Sequence, residues 1–326
     1  MFIDFLLEGE RIEKKPKISV VIPARNEEDV IERSVRSLLN QTAKPYEIIV
    51  VNDGSTDATR EIVEKLGKED GRVKLINFDR GHSAAFARNR GAEAARGDVV
   101  YFQDSDIVVD DRGLIEKVGE VFQDESIGAV LTGGGGEYKT FLQKCQEVRA
   151  VMSNLFFKAS GRKIEYISGI RRKLFSELGG FNEKIFYYED RELGRRVAER
   201  TRIPFVKVGI RHIEPSTLSE IVRQARYVGK GASTYNLINE NPLVLLYPPY
   251  PFFWLLFATC VMLSFLSSIF AYVVAFMFMV LIVEAVVAYF LTGMLLPSIC
   301  FVFFISPLRA FLISYSFLLD KLNSLR

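Results

Sequence analysis

Asp98-Val-Val-Tyr-Phe-Gln-Asp-Ser-Asp106 carries four β-forming apolar residues straight into two carboxylates one residue apart. Val, Tyr and Phe suit a pleated, buried surface, so residues 98–102 predict a strand and residues 103–106 the loop at its carboxyl end. Carboxylates at i and i+2 repel each other unless a cation lies between them. Hard divalent ions such as Mg²⁺ or Mn²⁺ take oxygen ligands and often bridge to substrate phosphates. Asp-x-Asp is also common in solvated turns. Its place at the end of a central strand favours reading Asp104 and Asp106 as a metal site.

Moving towards the N-terminus, the pattern repeats. Lys17-Ile-Ser-Val-Val-Ile-Pro23 is a β-rich run, after which Asn26 is expected to cap a helix with Glu27, Glu28 and Asp29 in its first turn. Ile31, Val35, Leu38 and Leu39 then form one helical face. Glu47-Ile-Ile-Val-Val51 reads as a strand closed by Asn52-Asp-Gly-Ser-Thr-Asp57. A helix carrying Ile62, Val63 and Leu66, a strand over 73–76 and a small-residue helix over 84–95 complete the run. Strand–helix alternation of this length implies right-handed crossovers and an α/β fold, a mainly parallel sheet with helices on both faces. Ligands of such sheets bind beyond the carboxyl ends of the strands. Three polar clusters fall there, at residues 23–27, 52–57 and 104–106, and their convergence suggests one site.

Towards the C-terminus, strands are expected at 127–131 and 165–168, and helices near 172–178, 188–200 and 216–230. Gly133-Gly-Gly-Gly136 reads as a turn, since no helix start with Lys-Ser/Thr follows. Asp53, delivered by a buried strand, could accept hydrogen bonds from a base or ribose, while Asp57 reads as a turn and cap residue. Arg88, beside Asn89, could neutralise a diphosphate or simply lie on a solvated face. Glu189-Asp190 follows Phe186-Tyr-Tyr188; aromatic neighbours would partly desolvate these carboxyls, which raises a carboxyl pKa and suits a general base. A charged helix start is the plainer reading of the same residues. His82 reads as a loop residue, and Cys145 as a small helix residue.

Composition limits the alternatives. Lys plus Arg number 42 and Asp plus Glu 40, a net charge of +2, which argues against a nucleic-acid binder. Three cysteines, two of them in hydrophobic sequence, do not make a disulfide framework. Residues 241–283 and 285–308 contain no Asp, Glu, Lys or Arg. Residues 1–240 are therefore expected to form a soluble domain, and 241–326 a membrane domain of two or three hydrophobic helices. A span needs about 20 apolar residues, which 251–270 and 271–292 supply. Residues 297–319 are either a third span, with Arg309 near its middle, or an in-plane amphipathic helix. Glu284 would be a membrane carboxylate, a functional or pairing residue by default. Residues 1–15 have an apolar patch too short for a secretory h-region and interrupted by Asp4. The catalytic domain is thus expected on the cytoplasmic side of a multi-pass protein of the cell membrane.

Four ordered motifs resemble the family 2 glycosyltransferases of the GT-A fold over about residues 17–232: VVIPARNEE, VVNDGSTDAT, FARNRGAEAARGDVVYFQDSD and FSELGGFNEKIFYYEDRELGRR. The resemblance implies inverting transfer from a UDP- or GDP-linked sugar to a lipid-linked or glycan acceptor. It assigns Pro23, Ala24, Arg25, Glu27, Asp53, Arg88 and Asp104 to the donor, with Asp104 and Asp106 holding Mg²⁺ or Mn²⁺ on its diphosphate. His212 is a further metal or diphosphate candidate, with a structural histidine as the alternative. Asp190 would be the base, and Glu189 would orient it or the acceptor. Arg223-Gln-Ala-Arg-Tyr227 resembles the (Gln/Arg)-x-x-Arg-Trp signature of processive members with Tyr for Trp, making Arg223, Arg226 and Tyr227 acceptor or phosphate candidates. If the acceptor were a polyprenyl phosphate, Arg195 and Arg196 would join Arg223 and Arg226 in guiding it. Two other classes compete. A nucleotidyltransferase would want a Gly-rich Lys/Arg loop after the first strand, which is missing. A non-catalytic sugar-nucleotide-binding membrane protein would not need Asp104, Asp106 and Asp190 together.

Overall fold

The protein is described by a computed structural model at residues 15–133, 140–145, 147–148, 151, 167–185, 189–213, 217, 221–222, 225, 251–264, 268–313 and 315. Two compact units make up the chain: Met1–Gly136, Glu165–Asn182 and Asp190–Ile213 form the first, and Glu137–Ile164, Glu183–Glu189 and Glu214–Arg326 the second.

In the first unit β1 (Ile18–Ala24), β2 (Glu47–Asp53), β3 (Val73–Phe78) and β4 (Val99–Phe102) lie parallel in the order β3-β2-β1-β4. Helices α1 (Ile31–Leu39), α2 (Thr59–Glu69) and α3 (Ala84–Ala94) make the crossovers. β5 (Ile107–Val109), α4 (Leu114–Val121), β6 (Ala129–Gly133), β7 (Gly169–Arg171), α5 (Arg172–Glu177), α6 (Glu189–Ala198), β8 (Phe205–Lys207) and β9 (Ile210–His212) follow. β7 pairs antiparallel with β4 and β6, and β8 parallel with β6, extending the sheet to seven strands among the described residues. β5 and β9 form a separate antiparallel pair.

The residue pattern explains the layering. β1 and β2 are buried on both faces, as parallel strands under helices must be. Val20, Ile22, Ile48 and Val50 face Ile31, Val35 and Leu38 of α1, Val63 and Leu66 of α2, and Leu114 and Val118 of α4. Val21, Ile49, Val51 and Val100 face Ala85, Ala87 and Ala92 of α3, with Phe175, Leu193 and Val197. Small side chains let α3 lie close to the sheet; a Cβ on Gly91 would collide with Val21. Side chains that alternate along a strand therefore sort into two cores, one on each face.

Three local expectations change. Asn26 does not cap α1: it has a φ of 57°, the helix starts at Ile31, and Val30 and Ile31 donate to the Glu27 carbonyl at 3.0 and 2.9 Å. Its side-chain carbonyl instead accepts from the Thr56 N–H at 2.8 Å, tying the β1 loop to the β2 loop. β6 begins at Ala129 rather than 127, and β7 begins at Gly169, beyond the expected 165–168, of which 165–166 lie outside the described residues. The β4 pairing, Val99 with Arg171 and Tyr101 with Gly169, sets that register.

The second unit contains α7 (Pro251–Ser264), α8 (Ser268–Thr292) and α9 (Leu295–Cys300), the last running through a π-helical turn (Phe301–Ile305) into helix as far as residue 313. Gly293, at φ 68°, makes the turn between α8 and α9. Cys145 is buried and shares a core with Met277, Leu281, Ala285, Ala288, Phe301 and Val302. Among the described residues, Tyr272–Thr292 and Leu295–Ile313 are long and apolar enough to cross a membrane. The described part of the expected span over 251–270 includes α7, 14 residues long. Glu284 in α8 is 6% exposed, and among the described residues neither of its carboxyl oxygens has a hydrogen-bond partner.

Candidate active site

The first polar cluster forms where β1, β2 and β3 end. Asp53 closes β2 with its side chain 6% exposed. His82 meets it twice: its backbone N–H donates to Oδ2 at 2.8 Å, and ring Nδ1 lies 2.9 Å from Oδ1. The His82 ring stacks on Phe86 at 4.1 Å, and Phe78 meets both rings edge-on. Ser83 starts α3 by accepting from the Phe86 N–H at 3.1 Å, which fixes the residue before it. Glycines let the loops close up here. A Cβ on Gly54, at φ 69°, would overlap the Arg80–Gly81 backbone, and one on Gly81 would overlap the Arg25 guanidinium. Pro23 and Ala24 pair with Val51 and Asn52, and the Glu27 N–H donates to Thr59 Oγ1 at 2.8 Å. Asp57 stays a turn residue, accepting from Thr59 at the start of α2.

The second cluster gathers at the end of β4. Arg88 on α3 donates to Asp104 Oδ1 at 2.7 Å, with its guanidinium 5.5 Å from the centre of the Phe181 ring. Its neighbour Asn89 holds the backbone of Phe181 by two hydrogen bonds of 2.9 Å. The turn before Phe181 needs two left-handed residues, supplied by Gly179 (φ 75°) and Gly180 (φ 71°). Phe181 then packs edge-on against Phe102, the last residue of β4. Arg88 is thus held between the Asp104 carboxylate and the Phe181 ring.

Electrostatics separate the two carboxyls near Arg88. Burial works against ionisation of Asp104, but the Arg88 guanidinium, with His212 beyond, holds its carboxyl below the usual range. Burial pushes the Asp190 carboxyl up, against the pull of Arg88 and of the Arg191 N–H, and the charge of Asp104 adds to the push. Two carboxyls driven apart around one cation is the pattern that separates acid–base roles from charge-holding roles.

Residues 19–179 match Glycosyl transferase family 2. This domain belongs to that family. The chain is 32% identical over 224 residues to the uncharacterized glycosyltransferase EpsJ of Bacillus subtilis, covering 63% of this chain and 64% of that one. It is 29% identical over 177 residues to the GalNAc(5)-diNAcBac-PP-undecaprenol beta-1,3-glucosyltransferase of Campylobacter jejuni, covering 52% of this chain and 56% of that one. The chain therefore spans less than two thirds of the length of these curated relatives. In fold it is similar to the mannosyltransferase PcManGT from Pyrobaculum calidifontis, solved with GDP-Man and Mn²⁺, at a TM-score of 0.58 and 17% identity, covering 94% of this chain and 88% of that one. The sheet is the GT-A arrangement.

The expected metal residues come from the loop between β4 and β5, which holds Asp104 and Asp106, and from β9, which ends in His212. Ile107 pairs with His212 across β5 and β9, which brings His212 Nδ1 to 3.8 Å from Asp106 Oδ1, both side chains about half-exposed. Among the described residues no three His, Cys, Asp or Glu side chains converge as a ready-made metal cage. Glu189 is buried at the first position of α6. Arg223, Arg226, Tyr227 and the aromatic residues 186–188 lie outside the described residues. Arg196 is engaged inside the first unit. It donates to the carbonyls of Leu178 and Gly180 at 2.6 and 2.7 Å and to Glu192, bracing the Gly-Gly turn. Sequence reasoning missed what His82 and Asn89 do. Asn89 follows Arg88 directly and could have been suspected; for His82, 29 residues from Asp53, no local signal existed.

Proposed function

We propose that the protein is a metal-dependent, inverting glycosyltransferase that moves a sugar from a UDP- or GDP-linked donor to a lipid-linked or membrane-proximal acceptor. The observation that carries this is the group of Arg88, Asp104 and Asp190 at the carboxyl end of the sheet, one cation serving two carboxyls whose pKa values move apart. In this reading Arg25, Glu27 and Asp53, with Pro23 and Ala24 beneath them, form the nucleoside side of the donor site, and Arg88 faces the diphosphate. Asp190 accepts the proton of an acceptor hydroxyl. The hydroxyl oxygen then attacks the anomeric carbon opposite the leaving nucleoside diphosphate, and the sugar–phosphate bond breaks with inversion. Glu189 orients the acceptor or Asp190.

Asp106 and His212 are 3.8 Å apart, too far for a hydrogen bond and near enough for one ion with bonds of about 2.1 Å to reach both. With Asp104 they would hold Mg²⁺ or Mn²⁺, which would supply positive charge to stabilise the departing diphosphate.

Residues 1–240 act in this reading as a cytoplasmic catalytic domain and 241–326 as a multi-pass membrane domain. The two long apolar helices and a relative named for an undecaprenol-linked substrate support that placement. Arg223, Arg226 and Tyr227 are the proposed contacts to the acceptor or its phosphate. The deciding experiment incubates the purified protein with UDP- and GDP-sugars and measures nucleotide release. Release should require Mn²⁺ or Mg²⁺ and fall at least about tenfold in Asp106→Asn; undiminished release in excess chelator would remove the metal from the reading.

A further inference from the structure

His82 belongs to no role assigned so far, yet it is built into the donor end of the sheet. Its ring is the third member of a stack: the Arg90 guanidinium lies 5.0 Å from the Phe86 ring centre, and Phe86 stacks on His82 at 4.1 Å and 20°. Its Nδ1 and its backbone nitrogen both meet the Asp53 carboxylate, at 2.9 and 2.8 Å. Facing a carboxylate, Nδ1 must carry a proton, so both contacts are donations from His82. Asp53 is 6% exposed and His82 27%, so what solvent sees of this pair is mainly the histidine.

Building on the nucleotide-sugar reading, we propose that His82 is a positioning residue for donor specificity, locking Asp53 as an acceptor-only group that reads the nucleobase. The two His82 donors take one lone pair from each Asp53 oxygen and fix the plane of the carboxylate. The lone pairs left over can meet only hydrogen-bond donors. Uracil offers a ring N–H between carbonyls, and guanine a ring N–H beside its amino group. Cytosine and adenine present a ring nitrogen lone pair at the corresponding edge. Such a lone pair facing a fixed carboxylate is repelled, and a buried group left unmatched in this way costs roughly ten- to hundredfold in binding. The class selected is therefore uracil or guanine nucleoside diphosphates. Without His82 the carboxylate can turn, and the penalty against the wrong bases falls.

The test titrates UDP, GDP, CDP and ADP, with Mn²⁺, into the detergent-solubilised full chain by calorimetry. The wild type should prefer UDP or GDP over both CDP and ADP by at least about tenfold. His82→Ala should shrink that preference several-fold while still binding its best nucleotide. His82→Asn should restore much of it, because the asparagine amide N–H falls where Nδ1–H was. A His82→Ala chain with wild-type preference overturns the proposal, and so does one that weakens all four nucleotides equally, the mark of a merely structural role. A wild-type chain that binds none of the four overturns the nucleotide-sugar reading itself, and this inference with it.

Discussion

Asp190 shows how much chemistry one side chain takes from its neighbours. An aspartate ordinarily titrates near 3.8, and burial moves this one upward. A base must be ionised to accept a proton, so turnover is lost as pH falls through the raised value. The acid limb of the pH–rate profile should therefore lie above that of an ordinary aspartate. Arg88 pulls the carboxyl down, so Arg88→Ala should shift the limb of its residual activity further up. Asp190→Asn keeps the shape and removes the basicity; with a hydroxyl acceptor it should bind donor normally and lose turnover by about 10²–10⁴-fold. Near-normal turnover on a hydroxyl acceptor would take the base role away from Asp190. A phosphate acceptor, already anionic, would give a much smaller loss.

Between single residues and the whole chain, the Gly179–Phe181 turn has the clearest work to do. It carries Phe181 onto β4 and under Arg88, and it is held by Asn89 on one side and Arg196 on the other. Its two glycines share a left-handed backbone but not an environment. A Cβ on Gly179 meets nothing within 4 Å, whereas one on Gly180 would lie 2.7 Å from Asn89 Oδ1. Gly179→Ala should cost about 1 kcal/mol of stability, the ordinary penalty for a left-handed L-residue, and leave kcat/KM close to wild type. Gly180→Ala should cost more and also lower kcat/KM, since the clamp that fixes Phe181, and through it Arg88, must shift. Urea midpoints and steady-state rates on the two variants distinguish them; equal effects on both would mean that the clamp does not transmit to Arg88. The helix starts teach a related lesson. Asn26 has the residue type of a cap and precedes three acidic residues, but it joins two loops instead, because Ser55 and Thr56 meet it from 29 and 30 residues away.

Across the whole molecule, the first unit has its own two-faced core, and the second is helical and apolar over long stretches. Tyr272–Thr292 and Leu295–Ile313 leave large side chains such as Phe276, Phe290, Phe304 and Phe311 facing outwards. The full chain should therefore sediment with membranes, resist extraction by high salt or alkaline carbonate, and enter solution only with detergent; release by salt alone would mean that these helices do not enter the bilayer. Sequence alone determined the alternation of strands and helices, the parallel half of the sheet and the three polar clusters at its carboxyl ends. Those features are written in periods of two and 3.6 residues and in the residues that stop them, and such signals are local. Tertiary structure alone decided that β9 lies on β5 and brings His212 to Asp106, that His82 closes on Asp53, that Arg88 stands at Asp104 and acts on Asp190, and that Arg196 is spent on a turn. Each of those contacts joins segments far apart in the chain. They depend on strand register and loop closure, which no stretch of sequence carries by itself.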